Sequence, residues 1–370
     1  MNRRSSNPYE SFKQNNTGKL RVSRSSDLFS HKKRAFPFVR VFVLTLFVLV
    51  AAGGGVNALL NRSVHVQSVT VSIPRLPSAF EGYTLLHISD LYGAQLGEEQ
   101  ARLAQALSGR SFSAVCITGD MCAPSGDTQP FLDLIDALDT TRPVFFIAGE
   151  QDPTVLMTDA SQGDSVLSDY VIGAQQHGAT YLDAPVSLES GGQTVWFTPE
   201  SALTLDVDAT ISTLSNRLAQ EKADADTGAD AYVRRQALEY QLDRAMRIRD
   251  ARTAMQDDDL CIVLTHAPLT SALISATSQQ GIVNRMVTRM DLVLAGHYNG
   301  GQACLPLIGP IYVPNLGFFP GTQPVRGLMH VGEVLQYVSP GLGVNPNQLI
   351  PLRLFNPPTV TLIKLTASIE

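Results

Sequence analysis

The feature that most constrains this chain is a recurring pattern: an apolar run that stops at a small residue and delivers carboxylate or imidazole side chains. The clearest case is DLVLAGHYNGGQ, Asp291 to Gln302, where the run breaks at Gly296 and presents His297 and Asn299 two positions apart. LLHISDLYG ends by presenting Asp90 and Tyr92, AVCITGDMC presents Asp120, VFFIAGEQD presents Glu150 and Asp152, and LCIVLTHAP presents His266. Short apolar runs bounded by turn residues read as buried strands. Open α/β sheets gather ligands outside the carboxyl ends of such strands. Carboxylates and imidazoles converging on one sheet edge are the donor set of a hard or borderline divalent cation.

Between these runs lie helical patterns: EEQARLAQALSG from Glu98, with Leu103 and Leu107 at helical spacing, then FLDLIDAL, then VLSDYVIGAQQHG. Strands alternating with short helices predict a doubly wound α/β sheet. SVHVQSVTVSI from Ser63 alternates as a strand with one wet face, closed by Pro74 and Pro77. From Gly178 to Glu200 the runs ATYLDAPVSLES and QTVWFTPE follow without helices between them, which predicts an antiparallel second sheet. A polar, Ala-rich stretch at about 210–258 reads as a helical insertion, with helices near Ile211 to Ala223 and Ala229 to Met255. In the second of these, Tyr232, Leu238, Leu242 and Met246 form a narrow apolar stripe expected to pack on the body. The alternation then resumes through LCIVLTHAP, ALISATSQQGIVNRM and DLVLAGHYNGGQ, and LMHVGEVLQYVSPGL and VTLIKLT read as late strands.

Charge divides the chain. Residues 1–40 hold ten Lys/Arg and two Asp/Glu, a net +8, so the remainder carries −14 of the total −6. Between tail and body, Val41 to Leu60 is an uncharged apolar run. Twenty helical residues cover roughly 30 Å, one hydrocarbon core. The expectation is a disordered basic tail (1–40) on the cytoplasmic side, reading anionic lipid, a transmembrane signal-anchor (41–60), and an outward-facing domain (63–370) at the cell membrane. A cleaved signal peptide is the competing reading, since Ala51-Ala52-Gly53 is a small-residue stretch, although the basic leader is long for one. No cysteine lies near the segment, so it carries no lipoprotein anchor. The acidic body argues against nucleic acid as a ligand.

The four cysteines, Cys116, Cys122, Cys261 and Cys304, form no CxxC and no disulfide framework. Cys116 and Cys261 read as buried core, whereas Cys122 and Cys304 each follow a ligand-bearing turn. His65, His87, His177 and His330 stand outside the recurring pattern and read as structural or surface residues.

Taken in order, the five blocks DLY, GDMCA, GEQD, LTHAP and GHYN resemble the calcineurin-like metallophosphoesterases, whose pattern runs DxH, GDxxD, GNHD/E, a lone His and GHxH. The following GGQ, LGFFP, YVSPGLG and RLFNPPTVTLI look like the membrane-anchored bacterial branch of that family. The resemblance implies a four-layer αββα sandwich with two metals at the sheet edge. Carried onto this chain, metal one would take Asp90, the bridging Asp120 and the positions now held by Tyr92 and Asn299. Metal two would take Asp120, Glu150, His266 and His297. A phenol and a neutral amide are weak ligands beside imidazole, so site one should bind poorly. The expectation is one Mn, Fe or Zn ion, or none. The family's catalytic histidine is Gln151 here, which can hydrogen-bond but cannot act as a general acid, and the second Asp of GDxxD is Ala123. Two functional readings follow. One is an enzyme with a reduced site hydrolysing an envelope or lipid-linked phosphomonoester or phosphodiester, Asp90 orienting water. The other is a catalytically inactive binding or structural protein that retains the fold.

Overall fold

The computed structural model describes residues 37–157, 166–272, 274 and 290–368, less positions 225, 227, 307, 315, 322, 324, 349 and 350. The basic tail and most of ALISATSQQGIVNRM lie outside the described residues. The chain divides into two compact units, Met1–Gly53 and Gly54–Glu370. Helix α1, Pro37–Leu60, holds the apolar run, and from Phe38 to Leu60 it is long and apolar enough to cross a membrane, a property that signal sequences share.

In chain order the body then contains β1 (His65–Ser72), β2 (Thr84–Ile88), α2 (Ala101–Leu107), β3 (Ala114–Thr118), α3 (Gln129–Ala137), β4 (Val144–Ile147), α4 (Asp169–Gln176) and β5 (Ala179–Tyr181). It continues with β6 (Val186–Ser190), β7 (Gln193–Pro199), α5 (Glu200–Thr204), α6 (Val207–Ala223), α7 (Ala229–Ala254), β8 (Leu260–Leu264) and β9 (Leu292–Ala295). Last come β10 (Ala303–Leu305), β11 (Gly309–Val313), β12 (Gly317–Phe318), β13 (Gly327–Val331), β14 (Val334–Val338) and β15 (Thr359–Thr366).

These strands form two six-stranded sheets, ordered β1-β15-β2-β3-β4-β5 and β13-β14-β9-β8-β7-β6, and a three-stranded sheet β10-β11-β12. The apolar runs are unbroken because both faces of each strand are buried. Successive side chains alternate between faces: Leu85, Cys116 and Phe145 point into a core shared with Phe197, Ile262 and Leu294 of the second sheet. Leu86, Val115 and Phe146 point the other way, onto Leu103, Phe131 and Val171 of α2, α3 and α4. Phe145 and Phe197 stack with centroids 4.6 Å apart, joining the two sheets. Trp196, Val263 and Val293 on the outer face of the second sheet pack on Leu203 of α5 and Ala251 of α7.

Four expectations are corrected. The second sheet is mixed: β6 and β13 run antiparallel at its edges, while β7, β8, β9 and β14 are parallel neighbours. ATY pairs parallel with β4 in the first sheet, because α4 carries the chain back across that sheet before β5 begins. The helical run from Glu98 starts late. Glu99 and Gln100 adopt left-handed φ of 48° and 58°, and the buried Gln100 amide is spent on Leu96 N, Ala94 O and Pro130 O, so α2 begins only at Ala101.

The fourth correction concerns the stripe on α7. Leu238 and Leu242 pack against Leu214 and Leu218 of α6, while Tyr232 and Met246 lie exposed. The body is met instead by Ile248 and Ala251 and by a polar clamp. In that clamp Arg247 donates twice to the Asp183 carboxylate (3.0 and 2.8 Å), Tyr240 donates to the same carboxylate, and Arg244 Nε donates to Asp183 O at 2.7 Å. A pattern of apolar residues cannot reveal a helix docked largely through charge-assisted hydrogen bonds.

Candidate metal centre

Five strand ends supply the site. Asp90 follows β2, Asp120 follows β3, Glu150 and Gln151 follow β4, His266 follows β8 and His297 follows β9. β2, β3 and β4 are neighbours in one sheet and β8 and β9 in the other, so the residues meet where the carboxyl edges of the two sheets face each other.

The turns that carry them are strained in the same way. Asp90, Tyr92, Asp120, His297 and Asn299 all have positive φ, from 51° to 78°. A left-handed conformation costs an L-residue roughly 1–2 kcal/mol, least for Asn and Asp, and such strain concentrates at functional sites. Backbone bonds hold the turns together: Asp90 N donates to Gly119 O at 3.0 Å, Tyr92 N to Asp120 O at 2.9 Å, and Gly296 N to His266 O at 2.9 Å. Asp152 is a brace, its carboxylate accepting the N–H groups of Met121, Cys122 and Gly149, each at 2.8 Å. The glycines preceding the acids are sterically required. A Cβ on Gly149 would sit 2.2 Å from Asp120 Oδ1, and one on Gly119 would sit 2.5 Å from Gly149 N.

Donor atoms of Asp90, Asp120 and His266 all lie within 4.8 Å of one another. His266 Nδ1 is 2.7 Å from Thr118 O; since a carbonyl only accepts, Nδ1 carries a proton and Nε2 faces Asp120 Oδ2 at 3.2 Å. A histidine oriented by a backbone carbonyl in this way is prepared as a ligand. His297 stands edge-on to His266 with centroids 5.3 Å apart, and its backbone N–H donates to both Asp90 carboxylate oxygens. Its Nδ1 is 3.5 Å from Glu150 Oε1. Glu150 itself is 57% exposed at the rim, outside the buried trio. Gln151 enters through its backbone, donating to Asp120 Oδ1 at 2.9 Å.

Tyr92 and Asn299 form a separate neutral pair. Asn299 Nδ2 donates to Tyr92 Oη at 3.2 Å, and that hydroxyl lies 3.5 Å from Asp90 Oδ1. Burial, with the Asp90 and Asp120 charges beside it, pushes the phenol far above its ordinary range, so it stays a hydrogen-bonding group. Burial lifts Asp90 to about 6, against the pull of His266. Burial also opposes ionisation of Asp120, but the charge of His266 3.2 Å away and the Gln151 N–H outweigh it and hold the carboxyl below its usual range. For His266 burial is outweighed by Asp120 and Asp90, which raise it to about 9, whereas burial and the His266 charge lower His297.

Among the described residues, the buried polar atoms at this edge without a hydrogen-bond partner include Asp120 Oδ2 and His266 Nε2, which face each other at 3.2 Å, and His297 Nδ1 and Asn299 Oδ1. Unpaired buried polar atoms are costly, and a cluster of them fits an ion or ordered water as their common partner. Oxygen and imidazole donors of this kind fit a divalent ion of the Mn, Fe or Zn type. The thiols are not part of it: Cys122 is packed in the core beneath the first sheet's helices, and Cys304 is buried with Sγ 3.4 Å from Gly300 O. His87 is also apart, buried with Nε2 2.9 Å from Thr118 Oγ1.

Sequence reasoning assigned no role to Arg353. Its buried guanidinium donates to the carbonyls of Asn356 and Gly343, each at 2.6 Å, and of Pro340 at 2.6 Å and Asn299 at 3.4 Å. It therefore ties the turn bearing Asn299 to the loops after β14 and before β15. The signal available was a lone cation in the otherwise nearly uncharged stretch 327–356.

No family model matches this chain. A stretch of 79 residues is 34% identical to the uncharacterized metallophosphoesterase YkuE of Bacillus subtilis (strain 168), covering 21% of this chain and 25% of that protein. The match thus spans about a quarter of the relative's length. Among solved structures, the phosphopantetheinyl hydrolase PptH from Mycobacterium tuberculosis aligns with 71% of this chain and 91% of its own, at 16% identity and a TM-score of 0.37.

Proposed function

We propose that this chain is a membrane-anchored metallophosphoesterase of the four-layer αββα type, hydrolysing a phosphomonoester or phosphodiester with one divalent ion. The observation that carries the reading is the convergence of Asp90, Asp120 and His266 with the orphaned atoms of Asp120, His266 and His297 at one buried edge. The metallophosphoesterase-named relative and the order of the five blocks support it. Asp90, Asp120, His266 and His297 would hold the ion, with Glu150 on its exposed side. A divalent ion there supplies Lewis-acid polarisation of a phosphoryl oxygen and an acidified water.

The remaining chemistry belongs to the chain. Tyr92 and Asn299 occupy the place of a second ion's ligands with a neutral pair. Asp90, within 4.8 Å of the Asp120 and His266 donors, would orient a water at that edge. Gln151 can hydrogen-bond a phosphoryl oxygen but gives no proton to a leaving group, so substrates with good leaving groups should turn over best. The outward-facing location follows from reading α1 as an uncleaved signal-anchor, with the basic tail on the cytoplasmic lipid surface. A second reading, a phosphate-binding protein without turnover, is favoured by Gln151 and by the phenol filling the first position.

Elemental analysis of the purified chain after loading with Mn, Fe or Zn, beside hydrolysis of p-nitrophenyl phosphate and its bis-ester, tests the proposal. About one tightly held ion, with activity lost in both Asp120→Ala and His266→Ala, is the expected result. An ion held without hydrolysis of either ester, or no ion at neutral pH, refutes the enzyme reading and selects the second.

A further inference from the structure

We propose that the small sheet β10-β11-β12, with the adjoining segment at 352–354, is a surface that rests in the lipid headgroup region beside the end of α1. The inference relies on reading α1 as a membrane anchor. No Asp, Glu, Lys or Arg occurs from Gly300 to Val325, in a chain that is 17% charged. Within that stretch Ile308, Phe318 and Phe319 are 71%, 73% and 73% exposed, and Leu305, Leu352 and Leu354 are exposed nearby. Single exposed apolar residues are ordinary, but a connected group of them marks a contact surface.

The connection is made by backbone bonds. β12 pairs with β11 and β11 with β10, Phe319 N donates to Ile311 O, Cys304 N donates to Leu354 O, and Leu354 N donates to Gln302 O. Tyr312 and Phe318 pack with ring centroids 4.8 Å apart.

The position of this surface selects lipid as its occupant. Asn57, in the last turn of α1, accepts the Phe355 N–H at 2.7 Å, and Asn61, just past the helix, donates to Arg353 O at 3.2 Å. Both neighbours of Leu354 are therefore held by the point where the apolar helix ends. Elsewhere on the body, α7 presents a charged surface with Arg234, Asp243, Arg249 and Asp250. An uncharged surface carrying Phe, Tyr and Leu matches the acyl boundary of a bilayer. The cleft lined by His297 and Asn299 is also lined by Val313 and Leu352, so the candidate metal centre opens beside this surface. A phosphoester carried on a lipid would reach the centre there without leaving the bilayer surface.

The test uses the full chain in phosphatidylcholine–phosphatidylglycerol vesicles. The four native cysteines are buried, so a thiol fluorophore reports an introduced one. Labels at Ile308→Cys and Phe318→Cys should shift their emission to the blue and be quenched by a lipid-borne quencher, while a label at Tyr232→Cys on α7 stays accessible to an aqueous one. Val48→Cys in α1 separates the two readings. If Val48→Cys is lipid-quenched but the 308 and 318 labels are as water-accessible as 232, this proposal fails and the anchor stands; if Val48→Cys is also aqueous, both fail. A blue shift without lipid quenching would mean a protein partner or a second copy, and would equally overturn it.

Discussion

Gly149→Ala is the sharpest test of the candidate centre, because it adds one methyl group without removing any donor. The new Cβ would stand 2.2 Å from Asp120 Oδ1 and 2.4 Å from Asp120 N, where carbon contacts settle at about 3.5 Å. Asp120, or the turn after β4, must therefore retreat by roughly 1.3 Å. The Asp120 turn has little room, since its carbonyl accepts from Tyr92 N and its Oδ1 from Gln151 N. Ligand distances in a metal site tolerate about 0.2 Å, so a displacement of this size removes Asp120 from the set. Metal affinity should fall at least about 10–100-fold, the scale on which disturbed ligand support is felt. Overpacking should also destabilise the fold by about 1–3 kcal/mol. Isothermal titration with Mn or Zn measures the first effect and denaturant unfolding of the apo protein the second. A variant that binds metal as tightly as the parent would refute the assignment of Asp120 as a ligand, whatever its stability.

Other outcomes follow from the same geometry. His87 is buried and burial lowers it from 6.5 to about 3, so the unfolded chain binds its proton first as pH falls. Its contribution is complete above pH 6.5 and is lost progressively toward pH 3, about 2 kcal/mol by pH 5. His87→Gln should flatten the acid limb of the stability–pH curve, and an unchanged limb would show that His87 is not the group responsible. Tyr92→His combined with Asn299→His should raise bound metal from one ion toward two by elemental analysis, and an unchanged stoichiometry would mean that this position is closed for another reason. Asp183→Ala leaves Tyr240 and the half-exposed Arg247 without their shared acceptor, costing about 2 kcal/mol and opening α6 and α7 to proteolysis. Undiminished protease resistance would mean that apolar packing alone docks the helical pair.

Local chemistry in the sequence was enough to locate β2, β3, β4, β8 and β9, because a strand buried on both faces must be an uninterrupted apolar run, and the polar residues that end each run can only lie at a sheet edge. It was also enough for α6 and α7, whose composition is helical without reference to anything they touch, and for the apolar α1. Tertiary structure decided the rest. β15, the last strand, inserts between β1 and β2, pairing parallel with one and antiparallel with the other, a register set by contacts nearly 300 residues apart that no local pattern encodes. The same holds at the centre. Asp152 and Glu150 look alike in GEQD, yet one is a half-buried brace for three N–H groups and the other stands at the rim. Tyr92 and Asn299 read as two failed ligands, but across the sheet edge they are partners, and Arg353 joins them only through carbonyls brought together by folding. Residue type sets which bonds a side chain can make, and the fold decides which of those bonds are within reach.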